Sequence, residues 1–249
     1  MSKLQQRLMK ELQHNRHVKI VKSNEWCIPI RTVEVTYEPI RRATMDVLMK
    51  MLLMSMQEAD FQNAQELSEL LLVDPLFIED LVSLMARVRL IEQREGCYRL
   101  TAKGEQQLER GIFEEELDVK TANLLFSPCH HVFLPIGEDS IEEYDELPQP
   151  YRYVDKEAEQ LEQFEETMMI AALQQENDES TTAHTHIETI VKTEAKQIND
   201  IPCLEFILHD KEQDIVYARV WNTLLNQWDN TLEQQLSDKE QLRWRQEYL

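Results

Sequence analysis

The chain has 249 residues, with 26 Lys and Arg against 47 Asp and Glu, a net charge of −21, and only 4 glycines, where average usage is about 7%. The glycines are Gly96, Gly104, Gly111 and Gly137, so neither GxGxxG nor GxxxxGK[ST] can be written, which excludes a glycine-built phosphate cradle. The charge opposes nonspecific binding of the whole chain to nucleic acid or to an anionic membrane.

An apolar content of 42% suffices for a buried core, and the length accommodates two small domains. No stretch approaches 18 apolar residues and the N-terminus lacks an apolar h-region, which predicts a cytoplasmic protein without membrane attachment. Cys27, Cys97, Cys129 and Cys203 form no CxxC pair, which fits reduced thiols and argues against a zinc site. No cofactor is expected.

Charge is unevenly distributed. Residues 1–50 carry 10 basic and 5 acidic side chains, the remainder 16 and 42. This predicts a basic arm that contacts phosphate, an acidic partner or the protein's own acidic body.

In chain order, Ser2–His14 reads as a short helix with Leu4, Leu8 and Leu12 on one face. Val18–Val21 and Ile28–Tyr37 read as two strands, with Pro29 pointing to an edge position. Thr44 is placed as the cap of a helix reaching Glu58, whose stripe is Met45, Leu48, Met49, Leu52, Leu53 and Met56. Ala64–Leu72 gives a second helix. A third follows Asp74 as cap and Pro75 as first helical residue, carrying Leu76, Ile78, Leu81, Val82, Met85 and Val88. Leu90–Glu92 and Cys97–Leu100 form a hairpin about Glu95-Gly96, and Thr101 opens a last helix that Gly111 ends.

Three helices and a hairpin, with Arg89-Leu90-Ile91-Glu92 leading to Tyr98-Arg99-Leu100-Thr101-Ala102-Lys103-Gly104, resemble the winged helix-turn-helix domains of bacterial regulators over residues 44–111. In DNA-binding members of that fold the third helix offers Arg, Lys, Asn or Gln to base edges. Here its polar positions are Asp74, Glu79, Asp80 and Ser83, with Arg87 only at the far end. An acidic helix repels phosphate, so backbone contact falls to Arg94 at the hairpin tip, Arg89 and Arg99 beside it, and Arg41 and Arg42 before the first helix.

Further on, Leu124–Ile136 reads as a strand or ordered connector. Glu138, Asp139, Glu142, Glu143, Asp145 and Glu146 then place six carboxylates in nine positions, a solvated run or a mimic of a DNA backbone. Asp155–Gln175 reads as a helix with Leu161, Phe164, Met168, Met169 and Ala172 on its apolar side, and Asn177–His186 as a polar linker. Strands are expected at Ile187–Thr193, Cys203–Leu208 and Ile215–Trp221, and an amphipathic helix at Thr231–Tyr248. The fold class expected is α+β: a basic N-terminal helix and strands (1–43), a winged-helix domain (44–115), an acidic connector with a helix (116–186), and a small domain of antiparallel strands and a terminal helix (187–249).

Chemistry is sparse. Neighbouring side chains of Cys129-His130-His131 point to opposite faces of a strand and cannot converge without a turn, and His184 and His186 lie in the presumed linker, so no metal site is expected. His209-Asp210-Lys211 is similar to the start of the HxK motif of phospholipase D type enzymes, but Val216 stands where that motif requires aspartate. Glu194-Ala195-Lys196, with Asp178 upstream, is similar to the ExK of restriction-type nucleases, in which carboxylates hold Mg²⁺ and lysine orients water. The reading that follows is a non-catalytic winged-helix subunit or adaptor with a protein partner in a nucleic-acid-associated complex. A DNA-binding transcriptional regulator, homodimeric through its N-terminal arm, and a metal-dependent nuclease are the alternatives.

Overall fold

A computed structural model of the chain describes residues 2–142, 144, 146–156, 164–178 and 185–249, with the side chains of 2 and 176–178 excepted. It is a mixed α+β structure with an antiparallel sheet and a C-terminal helix. Seven helices are described: α1 (Ser2–Leu12), α2 (Val47–Glu58), α3 (Ala64–Leu71), α4 (Pro75–Arg87), α5 (Ala102–Arg110), α6 (Glu166–Asp178) and α7 (Asn230–Tyr248). The strands are β1 (Val18–Thr44), β2 (Ile91–Arg94), β3 (Cys97–Leu100), β4 (Ile112–Glu116), β5 (Lys120–Ser127), β6 (Val132–Leu134), β7 (Thr185–Asp210), β8 (Ile215–Asn222) and β9 (Gln227–Trp228). The larger sheet runs β6-β5-β1-β7-β8-β9 with β4 also on β1, and β2-β3 form a separate hairpin. Among the described residues no helix is long and apolar enough to cross a membrane.

The chain divides into two compact units, neither of which is a continuous segment. One comprises Met1–Thr36, Thr121–Leu173 and Lys192–Leu249, the other Tyr37–Lys120 and Gln174–Val191. The four consecutive segments expected from the sequence are therefore distributed over two bodies.

In the first unit, every residue from Ile201 to Leu208 is buried. The reason is that both faces of β7 are covered. Cys203 and Ile207 join Ile28, Ile30 and the α7 side chains Leu232, Leu236 and Trp244, while Leu204, Phe206 and Leu208 pack on Leu8 of α1. Alternate side chains of a strand emerge on opposite faces, so a doubly covered strand reads as an unbroken apolar run. β8 pairs antiparallel with it in the register Cys203↔Asn222 to Asp210↔Ile215.

In the second unit each helix begins on a side-chain cap. Asp46, not the expected Thr44, accepts from the Leu48 and Met49 N–H groups, because Thr44 is the last residue of β1 and is paired with Ile112. Asn63 caps α3, Asp74 caps α4 ahead of Pro75, and Thr101 caps α5. The turn between β2 and β3 has positive φ at both Glu95 and Gly96, as a two-residue hairpin with the native strand twist requires. Gly104 is sterically fixed: a Cβ there would lie 2.1 Å from the Leu90 carbonyl oxygen. The core is formed by Met49, Leu52, Leu53, Met56, Leu67, Ile78, Val82, Met85 and Leu90.

Several local expectations are corrected. The two N-terminal strands are one strand, β1, and the strands expected at 187–193 and 203–208 are one strand, β7. Pro29 is not on an edge strand, since β1 lies between β5 and β7. Two residues before it, the Cys27 N–H donates to Gln149 and the Cys27 carbonyl accepts from Tyr151, so on that side of β1 an irregular segment replaces a ladder and Pro29 is tolerated. Leu124–Ile136 holds a β5-β6 hairpin with a turn, and β4 was not foreseen. Of the expected 155–175 helix, residues 157–163, including Leu161, lie outside the described residues, and α6 begins at Glu166. The linker expected at 177–186 falls partly on undescribed residues 179–184, while Thr185 and His186 open β7.

Candidate functional site

The surface that the sequence marks for phosphate contact is already occupied by carboxylates. β1 and β4 pair antiparallel with Arg41 opposite Glu115 and Arg42 opposite Glu114, and cross-strand neighbours of opposite charge interact. Arg41 binds Glu115, and Arg42 binds Glu114 at 2.7 Å and also Glu188. Burial pulls the Arg42 pKa down, but the two carboxylates outweigh it and hold the guanidinium above its usual range. Arg94 pairs with Glu92 and Arg99 with Asp60, each at 2.7 Å. Arg89, at φ 60°, is exposed and lines a cleft of about 380 Å³ with Arg87, Lys103, Glu115, Glu116 and Asp118. The more exposed of these pairs, Arg94 with Glu92 and Arg99 with Asp60, contribute little to stability. Arg41, Arg42, Arg94 and Arg99 are thus each balanced by a carboxylate.

The outer face of α4 has no such balance. Leu76, Phe77, Glu79, Asp80 and Ser83 are exposed, while Ile78, Val82 and Met85 face the core. Between Lys50 and Arg87 the chain has no basic residue and seven acidic ones: Glu58, Asp60, Glu66, Glu69, Asp74, Glu79 and Asp80, all exposed. The turn before α4 adds Leu70 and Leu72, which are 56% and 91% exposed, to Leu76 at 71% and Phe77 at 54%. This helix offers apolar and anionic contacts over its first three turns, and its one cation, Arg87 in the last turn, lies 3.4 Å from Glu115.

Glu194 and Lys196, the residues of the nuclease alternative, lie on β7 within ion-pair distance of each other. Lys196 Nζ lies 3.1 Å from Glu34 and 3.7 Å from Glu194, and Glu194 also pairs with Lys192 at 3.0 Å. The Lys192 contact, with Lys196 adding to it, lowers the Glu194 pKa. The Asp178 side chain lies outside the described residues. No group of three or more His, Cys, Asp or Glu side chains suited to a metal ion occurs among the described residues.

One arrangement was not legible in the sequence. Pro128–His131 form a turn between β5 and β6, and it folds the His130 ring inward. Nδ1 of His130 is 2.6 Å from the Ser127 hydroxyl, and Nε2 is 2.9 Å from Asp229, the N-cap of α7. Asp229 also accepts from Asn222 Nδ2 at 2.9 Å and from the Leu232 N–H at 3.1 Å. Burial raises the Asp229 pKa, but the donors, His130 first, outweigh it and the net shift is downward. With Nε2–H given to the carboxylate, Nδ1 accepts the serine proton. Ser, His and Asp in series invite comparison with a hydrolase triad. Ser127 is wholly buried, however, and no substrate carbonyl can reach it. The series fastens the β5-β6 turn to the start of α7.

A second buried polar group supports the same unit. Arg152 grips Glu205 with both Nη atoms, at 2.9 and 3.1 Å, and contacts Glu240 through Nε, while Trp26 Nε1 donates to Glu205 at 2.6 Å. Glu205 is fully buried and Glu240 nearly so. Burial pulls the guanidinium pKa down, but these carboxylates overcome it. His209-Asp210-Lys211 ends β7: Asp210 accepts from the Glu212 and Gln213 N–H groups, closing the β7-β8 turn rather than forming a catalytic pair. In the acidic run, Glu138 opens a short 3₁₀ turn and accepts from Asn123 at 2.7 Å, while Glu143 and Asp145 lie outside the described residues.

Comparison of the chain with protein-family models, with curated proteins and with solved structures finds no match.

Proposed function

We propose that the protein is a non-catalytic adaptor or subunit of a nucleic-acid-associated assembly, in which residues 44–111 act as a winged-helix module that binds protein rather than reading DNA. The observation that carries the reading is the outer face of α4, where Leu76, Phe77, Glu79 and Asp80 stand at the positions from which a DNA reader would present basic and amide side chains. The internal pairing of Arg41, Arg42, Arg94 and Arg99 supports it, because a phosphate would have to displace a carboxylate already in place. The association with nucleic acid rests on the resemblance of residues 44–111 to bacterial regulators.

The test is DNA binding by the intact purified chain, followed by fluorescence anisotropy on a random-sequence duplex library at low and moderate salt. The expected result is binding that is weak at about 50 mM salt and gone at about 200 mM, as for a few phosphate contacts. Tight, sequence-selective binding that persists at the higher salt overturns the adaptor reading in favour of a regulator.

A further inference from the structure

The α3-α4 turn exposes four large apolar side chains within eight positions, from Leu70 to Phe77. Leu72 is the most telling. It ends α3 in the left-handed conformation, with φ 54° and ψ 42°, and is 91% exposed. Glycine or asparagine takes that position at little cost, whereas a branched-chain residue is strained there. In this chain Leu72 therefore strains the backbone and covers nothing. Its charged neighbours along the chain are of one sign. Glu66 and Glu69 precede it, Asp74, Glu79 and Asp80 follow it, and the nearest basic residues in sequence are Lys50 and Arg87.

An apolar patch whose flanking charged residues along the chain are all carboxylates selects a ligand that is apolar in the middle and positive at its margins. An acidic segment is repelled by the border. A nucleic acid is repelled by it and finds no base-edge donors. A second copy of the same patch brings its own Glu66, Glu69, Asp74, Glu79 and Asp80 into like-charge contact. We infer that the α3-α4 turn is the docking surface for a basic amphipathic helix of a partner protein, which seats apolar residues at helical spacing on Leu72, Leu76 and Phe77 and directs Lys or Arg to Glu69, Glu79 and Asp80. This inference rests on the adaptor reading above and gives the partner its chemistry.

The probe is a labelled 18-residue Leu/Lys peptide patterned as an amphipathic helix. It is titrated into the full-length chain at about 150 mM salt, where Debye screening acts within roughly 8 Å. Two controls accompany it: a peptide of the same composition in scrambled order, and one with Glu for Lys. The variants are Leu72→Ala with Phe77→Ala, and Glu79→Lys with Asp80→Lys. All four positions are exposed, and an unchanged melting curve confirms the fold of each. The expected result is saturable binding of the patterned peptide, weakened at least tenfold in both variants, with the scrambled peptide at least tenfold weaker on wild type and the acidic peptide inert. Equal binding of the patterned peptide to wild type and both variants overturns the inference, because it reduces the effect to attraction by net charge. Light scattering on the same samples gives the other refutation: a wild-type dimer that Leu72→Ala with Phe77→Ala converts to monomer assigns the patch to a second copy. Either failure leaves the DNA result untouched, whereas selective DNA binding removes the adaptor reading whatever the peptide does.

Discussion

His130 shows how far a single side chain can matter without touching a substrate. Its ring bonds Ser127, three positions away, and Asp229, 99 positions away in sequence. Removing one partner of a buried pair leaves the other desolvated and unsatisfied. His130→Ala is therefore expected to lower unfolding free energy by about 3 kcal/mol, read by urea titration. Asp229 gives a pH signature. Its folded pKa lies below the ordinary carboxylate value, which is about 3.9 in the unfolded chain. Its contribution is thus fully present above that value and is lost as pH falls through the folded value, since the unfolded state then binds the proton more readily. Melting temperatures from pH 5 down to pH 3 should fall, and Asp229→Asn should reduce the slope while lowering stability at neutral pH. An unaltered slope would show that other carboxylates govern acid unfolding.

At the scale of elements, what the sequence could and could not reveal follows from how far apart the interacting residues lie. The α4 and α5 caps, the Glu95-Gly96 turn and the Gly111 helix end are written within a few positions of the structure they make, and they are legible. The β1-β4 pairing is not local. It joins Thr44 to Ile112, and with it Arg41 and Arg42 acquire the carboxylates that silence them. The same distance hid Asp229 from His130, although the Cys129-His130-His131 cluster itself stood out. The exposed leucines around the α3-α4 turn are hidden for another reason: they stand among the core leucines of two apolar helices, and only burial separates the two sets. Gly104 is the junction on which the α5 placement depends. With the Leu90 carbonyl in the way of any Cβ, Gly104→Ala must push backbone against backbone. A loss of about 3 kcal/mol is expected, measured by chemical denaturation of the transition that involves this unit.

For the whole molecule, the net charge of −21 has a consequence that its internal pairing does not remove. Charge of one sign destabilises a compact state by self-repulsion. Raising salt from about 10 to about 150 mM shortens the Debye length from roughly 30 to roughly 8 Å. The melting temperature at pH 7 should rise over that interval, and a fall would mean that the ion pairs at Arg41, Arg42, Arg99 and Lys103 outweigh the repulsion.

The interleaving of the two units also sets an order of events during synthesis. Tyr37–Lys120 carries a core of its own, whereas Ile28 and Ile30, made earlier, are covered by residues of β7, β8 and α7. At roughly 5 to 20 residues per second, the N-terminal strand waits on the order of ten to forty seconds on the ribosome for Lys192–Leu249 to be made. Until then its apolar face is open to chaperones and to other nascent chains, so a stop codon before residue 192 would leave one unit near completion and the other without half of its core.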